Sequence, residues 1–246
     1  MNDLAGRKAF ITGASAGIGA SIARAFSQAG AEVVLAARRA DRLEALAAEL
    51  PGARTAVLDV RDADAVRAAV EAAGADIVVA GAGMALGTEG LQAGDPAEWS
   101  VMLDTNVKGV LHVLRGALPG LLSAGRGDVV LLGSVAGRQV YPGGNVYNAT
   151  KFAVRALYEA LRLDAGGRGV RFTTVDPGMV ETEFSMVRFR GDAQKADAVY
   201  EGMSPLAPDD VADAVLWAVT RPAHVNVGEI VLWPTDQSST RDVRRD

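Results

Sequence analysis

A tyrosine and a lysine stand four residues apart in Tyr147-Asn148-Ala149-Thr150-Lys151. On a helix that spacing puts both side chains on one face, with Cβ atoms roughly 5–6 Å apart. An ammonium beside a phenol favours the phenolate, so a group whose ordinary pKa is about 10 can exchange protons nearer neutral pH. That is the chemistry of a general acid/base. Tyr/Lys pairs are also common on solvated helix faces, so this pair alone defines nothing. A second motif near the amino terminus supplies context. Thr12-Gly13-Ala14-Ser15-Ala16-Gly17-Ile18-Gly19 follows an apolar run and opens a helical pattern. Gly13 permits a tight turn, Gly17 lets a pyrophosphate approach the backbone, and Gly19 lets helix and strand pack closely. The helix N-terminus then offers unpaired N–H groups to an anion. The spacing is GxxxGxG rather than the commoner GxGxxG. A tight connection would also use glycines, but a turn that opens a strand–helix alternation reads as a dinucleotide cradle.

The end of the second apolar run bears on which dinucleotide. NAD sites usually place an acid there for the ribose 2′-hydroxyl. This chain has Leu35-Ala36-Ala37-Arg38-Arg39, with no carboxylate before Asp41. Arginine forks suit a 2′-phosphate, which favours NADP(H), and Ser15 adds a hydroxyl. The competing reading is that Arg38 and Arg39 begin a solvated helix. Asp59, at the end of the third run, is placed to accept from an adenine amino group. It is equally placed as a cap-region acid beside the stronger N-cap candidate Asp62.

These groups need a scaffold with many strand ends. Lys8–Thr12, Glu32–Ala36, Arg54–Leu58, Asp76–Ala80, Asp128–Gly133, Val170–Val175 and Glu229–Leu232 read as strands. Helical patterns fall near Ile18–Gln28, Arg39–Leu50, Ala63–Ala73, Val107–Ser123, Val146–Gly166, Asp192–Glu201 and Pro208–Val219. Such alternation predicts a Rossmann-like, doubly wound parallel sheet of seven strands with helices on both faces. The 246 residues suit one domain, with a dinucleotide-binding part over about 1–135 and a catalytic and substrate part over about 136–246. The stretch 182–204 breaks the rhythm beyond a strand end and reads as a substrate lid.

Composition narrows the classes. A net charge of −5 gives no reason to expect nucleic acid or anionic membrane as partner. The chain has no cysteine, which excludes disulfides and thiolate chemistry and makes a reducing, cytoplasmic compartment the natural expectation. No apolar stretch reaches the ~18 residues of a membrane span. Two isolated histidines, His112 and His224, make a triad or a zinc site unexpected, and no metal is anticipated.

Taken together, Thr12–Gly19, Asp59-Val60, Asn106-Val107-Lys108-Gly109, Gly133-Ser134, Tyr147 to Lys151, and Pro177-Gly178 with Thr182 resemble the short-chain dehydrogenase/reductase family over essentially the whole chain. The resemblance implies reversible NADP(H)-linked conversion between a carbonyl and an alcohol. It makes Tyr147 the general acid/base, Lys151 its electrostatic partner and ribose ligand, and Ser134 the hydrogen-bond partner of the substrate oxygen. Asn106 would hold a water that extends a proton relay from Lys151; taken alone, outside the family pattern, it reads rather as the cap of the helix starting at Val107. Cofactor contacts are implied at Gly13, Ser15, Gly17, Ile18, Gly19, Arg38, Arg39, Asp59, Val60, Ala80, Gly81, Ala82, Tyr147, Lys151, Pro177, Gly178, Val180 and Thr182. The chain departs from the family's usual Asn-Asn-Ala-Gly, having Ala80-Gly81-Ala82-Gly83. That puts local stability or cofactor affinity in doubt, and leaves the proton path intact.

A narrower resemblance, to the NADP-dependent branch acting on small 3-hydroxy acids, serine and semialdehydes, rests on Asp104-Thr105-Asn106, Pro142 to Tyr147, Thr182 to Asp192 and Pro222 to Asn226. That branch tends to form tetramers, so a homo-oligomer, tetramer or dimer, is implied, with contacts through the two long helices. A carboxylate substrate would need a cation, and Arg188 or Arg190 can supply it. Gln139, Val140, Tyr141, Met179 and Phe184 are placed to line the pocket. The alternatives are an aldehyde or ketone reductase of a secondary-metabolite pathway, and a non-catalytic NADP(H)-binding sensor.

Overall fold

Among residues 3–246, which the computed structural model describes, seven strands form an all-parallel sheet in the order β3-β2-β1-β4-β5-β6-β7. They are β1 (Lys8–Thr12), β2 (Glu32–Ala37), β3 (Arg54–Val57), β4 (Ile77–Ala80), β5 (Gly127–Leu132), β6 (Val170–Pro177) and β7 (Glu229–Leu232). The order reverses beside β1, where the chain runs out to β3 and returns to lay β4 on β1's other edge. The crevice beyond the carboxyl ends of β1 and β4 is where open sheets of this kind bind ligands.

Alternate residues of each strand serve opposite layers, as a pleated strand requires. Ala9, Ile11, Val33, Leu35, Ile77, Val79, Val130 and Leu132 pack under α1 (Gly17–Gln28), α2 (Ala40–Glu49) and a later helix, Pro208–Val219. Phe10, Val34, Ala36, Val78, Ala80, Val129 and Leu131 pack under α3 (Ala63–Ala73) and two long helices, Gly109–Ala124 and Asn145–Ala165. No helix among the described residues is long and apolar enough to cross a membrane.

Two helices lie where none was expected. α4 (Pro96–Leu103) starts at Asp95, whose carboxylate accepts from Ala97 N, with Pro96 in the first turn. An Asp-Pro pair at that place is itself a helix-start signal. α4 runs on through a π-helical turn, Asp104–Lys108, into α5 (Gly109–Ala124). Asn106 therefore sits inside a continuous helix, and the cap role is excluded. π-turns spoil the 3.6-residue period, which is why the pattern seemed to start only at Val107. α6 (Asn145–Ala165) carries the Tyr147/Lys151 pair. The stretch 182–204 holds α7 (Glu183–Arg188), unexpected because it is too brief to show periodicity, and α8 (Ala193–Ala198), which falls within the helix expected near Asp192–Glu201; α9 (Pro208–Val219) follows. Beyond β7 the chain folds back over the lid: Asp246 N donates to Gly202 O at 3.0 Å, and the Arg245 guanidinium to Val199 O and Glu201 O.

Candidate active site

The glycine turn is shaped by what a side chain would strike. Gly13 has φ +75°, and a Cβ there would lie 2.8 Å from Gly81 O; a Cβ on Gly19 would lie 2.4 Å from Gly13 O. These contacts let β1, β4 and the start of α1 close around one another. Ala16, the N-cap of α1, has no side-chain acceptor, so the first-turn amides keep their capacity for an anion. A cavity of about 760 Å³ runs from this turn to Tyr147, walled along the way by Ser15, Ile18, Arg38, Arg39, Val60, Ala82, Pro177, Gly178, Val180 and Thr182. Its size and its donors fit a dinucleotide.

The Arg39 guanidinium is turned over the cleft, donating to Ser15 Oγ from Nε at 3.2 Å and from Nη2 at 3.1 Å, while the residue also stands at the N-cap of α2. Asp59 behaves otherwise. Its carboxylate accepts from Arg61 N, Nε and Nη2, which hold it below the usual carboxylate range, and it does not line the cavity. Arg61 thus competes for the carboxylate expected to meet the adenine, and Asp62 is the cap of α3. Ala80 is buried behind the wall rather than on it.

The departure at Ala80-Gly81-Ala82-Gly83 has a local explanation. Thr12 Oγ1 accepts from Gly81 N at 3.0 Å and Ala82 N at 3.2 Å, and donates to Val79 O at 3.2 Å. One buried hydroxyl thus joins β1 to the end of β4. A Cβ on Gly81 would meet Thr12 O at 2.7 Å, so this backbone admits no side chain there.

At the other end of the cleft, α6 presents Tyr147 and Lys151, both buried. Ser134 follows β5; its Oγ accepts from Ala136 N at 3.1 Å and donates to Pro177 O at 3.4 Å, on the same cavity wall as Tyr147. Lys151 Nζ is 5.9 Å from the Tyr147 ring centroid and donates to Leu132 O at 2.8 Å. The expected lowering of the tyrosine pKa is reversed in this arrangement. Burial pushes the phenol up, with Tyr141 adding to it, and outweighs both the Ser134 hydrogen bond and the charge of Arg188. Burial also brings Lys151 down to about 8, against the pull of Asp176. Asn106 is buried behind this pair. It accepts from Met84 N at 2.9 Å, donates to Met84 O at 2.7 Å and to Thr150 Oγ1 at 3.1 Å, and Thr150 in turn donates to Tyr147 O. A Cβ on Gly83 would stand 3.4 Å from Asn106 Oδ1 and 3.7 Å from Lys151 Nζ, which brings these two polar groups to one face of a bare glycine.

The segment 182–204 covers the Tyr147 end of the cleft. Phe184 packs on Tyr147 with ring centroids 5.5 Å apart, and Met179 lines the same wall. Arg188 Nη2 donates to Tyr141 Oη at 2.7 Å, and its guanidinium carbon is 5.6 Å from the Tyr147 ring centroid. Arg190 is excluded as the substrate cation, because it is spread over Glu89 and Glu98 on the surface. Gln139 is also displaced from the pocket: its Oε1 accepts from Thr240 N, while Val140 is exposed over a separate surface hollow. Thr240, Arg241, Val243 and Arg245 of the carboxyl-terminal segment take the place in the wall that was assigned to Gln139. No motif marks those residues. Gln237 anchors the segment, accepting from Met179 N at 2.9 Å.

Residues 7–193 match the family model for short chain dehydrogenase. The chain is 43% identical over 235 residues to an NADP-dependent 3-hydroxy acid dehydrogenase of Salmonella typhi, covering 93% of this chain and 95% of the relative. It is 44% identical over 237 residues to sulfoacetaldehyde reductase 2 of Chromohalobacter salexigens, covering 93% and 94%. The closed form of a serine dehydrogenase complexed with NADP+ superposes with a TM-score of 0.92 at 41% identity, covering 97% of this chain and 99% of that one.

Proposed function

This chain belongs to the short chain dehydrogenase family, and from that premise we propose that it acts on a small 3-hydroxy acid or the matching semialdehyde. It is an NADP(H)-dependent oxidoreductase that interconverts a carbonyl and an alcohol. The observation that carries the substrate reading is Arg188, a guanidinium within 6 Å of the Tyr147 ring on the cavity wall. A substrate whose reacting oxygen lies at Tyr147 would bring a carboxylate two carbons away within reach of that fork.

In this reading Tyr147 donates its phenolic proton to the carbonyl oxygen in reduction and recovers it in oxidation. Burial raises its pKa, which keeps the phenol protonated for the donor's part and at the same time makes it a weaker acid. NADPH, when bound, supplies hydride to the carbonyl carbon. Ser134 donates to the same substrate oxygen and fixes its distance from Tyr147. Lys151 holds the nicotinamide ribose and, with Asn106 beside Gly83, continues the proton path by way of a water. The glycine turn takes the pyrophosphate, and Arg38, Arg39 and Ser15 take the 2′-phosphate. The same proposal treats 1–246 as one domain working as a cytoplasmic homo-oligomer. Exposed Leu111 on α5 and Phe152 on α6 support contacts through the long helices.

The test follows cofactor absorbance with a panel of small semialdehydes, neutral aldehydes and ketones, together with NADP+-dependent oxidation of serine and 3-hydroxy acids. Preference for the acids supports the reading. Turnover of bulky neutral carbonyls alone would move the enzyme to a biosynthetic reductase.

A further inference from the structure

The lid carries a carboxylate into the nucleotide end of the cleft. Glu183, first residue of α7, accepts at Oε2 from Arg39 Nη1 at 2.8 Å, and its Oε1 lies 3.4 Å from Arg42 Nη1. Arg39 gives its other two donor nitrogens to Ser15. Ser15, Arg39 and Glu183 all line the cavity. The residue before Glu183 is pressed on the glycine turn, for a Cβ on Gly17 would stand 3.2 Å from Thr182 Cγ2. The guanidinium that suits a 2′-phosphate is thus already holding an anion supplied by the lid. Arg39, and after it Arg42, keeps that anion ionised by pulling the Glu183 pKa below its usual range.

A half-exposed ion pair contributes little stability by itself, and a surface role would predict no more than that. Position argues for more. The pair joins two walls of one cleft through residues 144 apart in sequence. A phosphate dianion and a carboxylate competing for one fork also repel each other.

We propose that Glu183 is a specificity-determining residue, an internal anion that ties the lid helix to Arg39 until the 2′-phosphate of the cofactor takes its place. A cofactor without that phosphate leaves the tie intact, so the attachment of α7 depends on which dinucleotide is bound. This inference rests on the assignment of Arg39 to the 2′-phosphate.

The test uses the full chain and two probes that differ only in that phosphate, 2′,5′-ADP and 5′-AMP, titrated calorimetrically. Wild type should bind 2′,5′-ADP more tightly than 5′-AMP. Glu183→Gln should tighten 2′,5′-ADP about two- to fivefold, the scale of an exposed charge interaction, and leave 5′-AMP unchanged. The gain should vanish in an Arg39→Ala background. Hydrogen exchange in 183–188 should rise with 2′,5′-ADP and stay level with 5′-AMP. Unchanged or weaker 2′,5′-ADP binding by Glu183→Gln, with wild-type 5′-AMP binding retained, overturns the proposal. Failure of wild type itself to discriminate the two probes overturns the cofactor assignment of Arg39, and the proposal with it.

Discussion

Replacing Arg188 by Met removes the fork and keeps most of the length of the side chain. In the structure Arg188 uses Nη2 on Tyr141 and Nε, at 3.4 Å, on Gly87 O, so part of a five-donor guanidinium remains to face a substrate. A hydrogen bond to a charged group contributes about 1.5–3 kcal/mol, which is about 10- to 150-fold in kcat/KM at 1.4 kcal/mol per decade. The assay compares a 3-hydroxy acid with its uncharged methyl ester. Arg188→Met should reduce the preference for the acid by that factor. Any further rise in the Tyr147 pKa from losing a neighbouring positive charge acts on both substrates and cancels in the ratio. Arg188→Lys should recover only part of the preference, because a point charge cannot make the bidentate contact. An acid-to-ester ratio that is the same in wild type and Arg188→Met would refute carboxylate recognition at this residue.

Three other perturbations test the supporting structure. Lys151 titrates near 8 in the fold against 10.5 in a free chain, so across that window the unfolded state binds the extra proton and this group's contribution to stability rises with pH. Urea unfolding should show wild type gaining about 2 kcal/mol over Lys151→Met between about pH 7 and 9.5, and parallel pH slopes would contradict it. Asn106→Ala leaves the half-buried amide and carbonyl of Met84 without their partner, at a cost of about 2 kcal/mol and so about 4–8 °C in Tm. An unchanged melting temperature would deny that role. Gly81→Asn, although it restores the residue common in the family, should lower Tm because its Cβ meets Thr12 O; a gain in stability would show that the backbone relaxes.

What the sequence revealed depended on how local the signal was. The strand ends that hold Gly13 and Ser134, and the helix face that carries Tyr147, were legible because apolar runs, glycine turns and a four-residue spacing are properties of a few adjacent residues. The missed parts are those that depend on distant partners. The pKa of Tyr147 follows from its burial beneath Phe184 and beside Tyr141, which a Tyr-to-Lys spacing does not contain. The Asp59 carboxylate is bound by Arg61, a contact its strand-end position does not announce. The displacement of Gln139 depends on Thr240, which lies 101 residues away in sequence. Asn106 read as a cap because a π-turn hides the continuity of α4 and α5.

The central claim is that the Tyr147 phenol moves the proton. Tyr147→Phe keeps the ring against Phe184 and removes only the hydroxyl, so the decisive measurement is NADPH-dependent turnover by this variant alongside calorimetric NADP+ binding. A loss of at least ~10²-fold in kcat with NADP+ affinity unchanged is the expected result. Turnover within a few-fold of wild type would contradict the assignment and send the search for the proton donor elsewhere in the cleft.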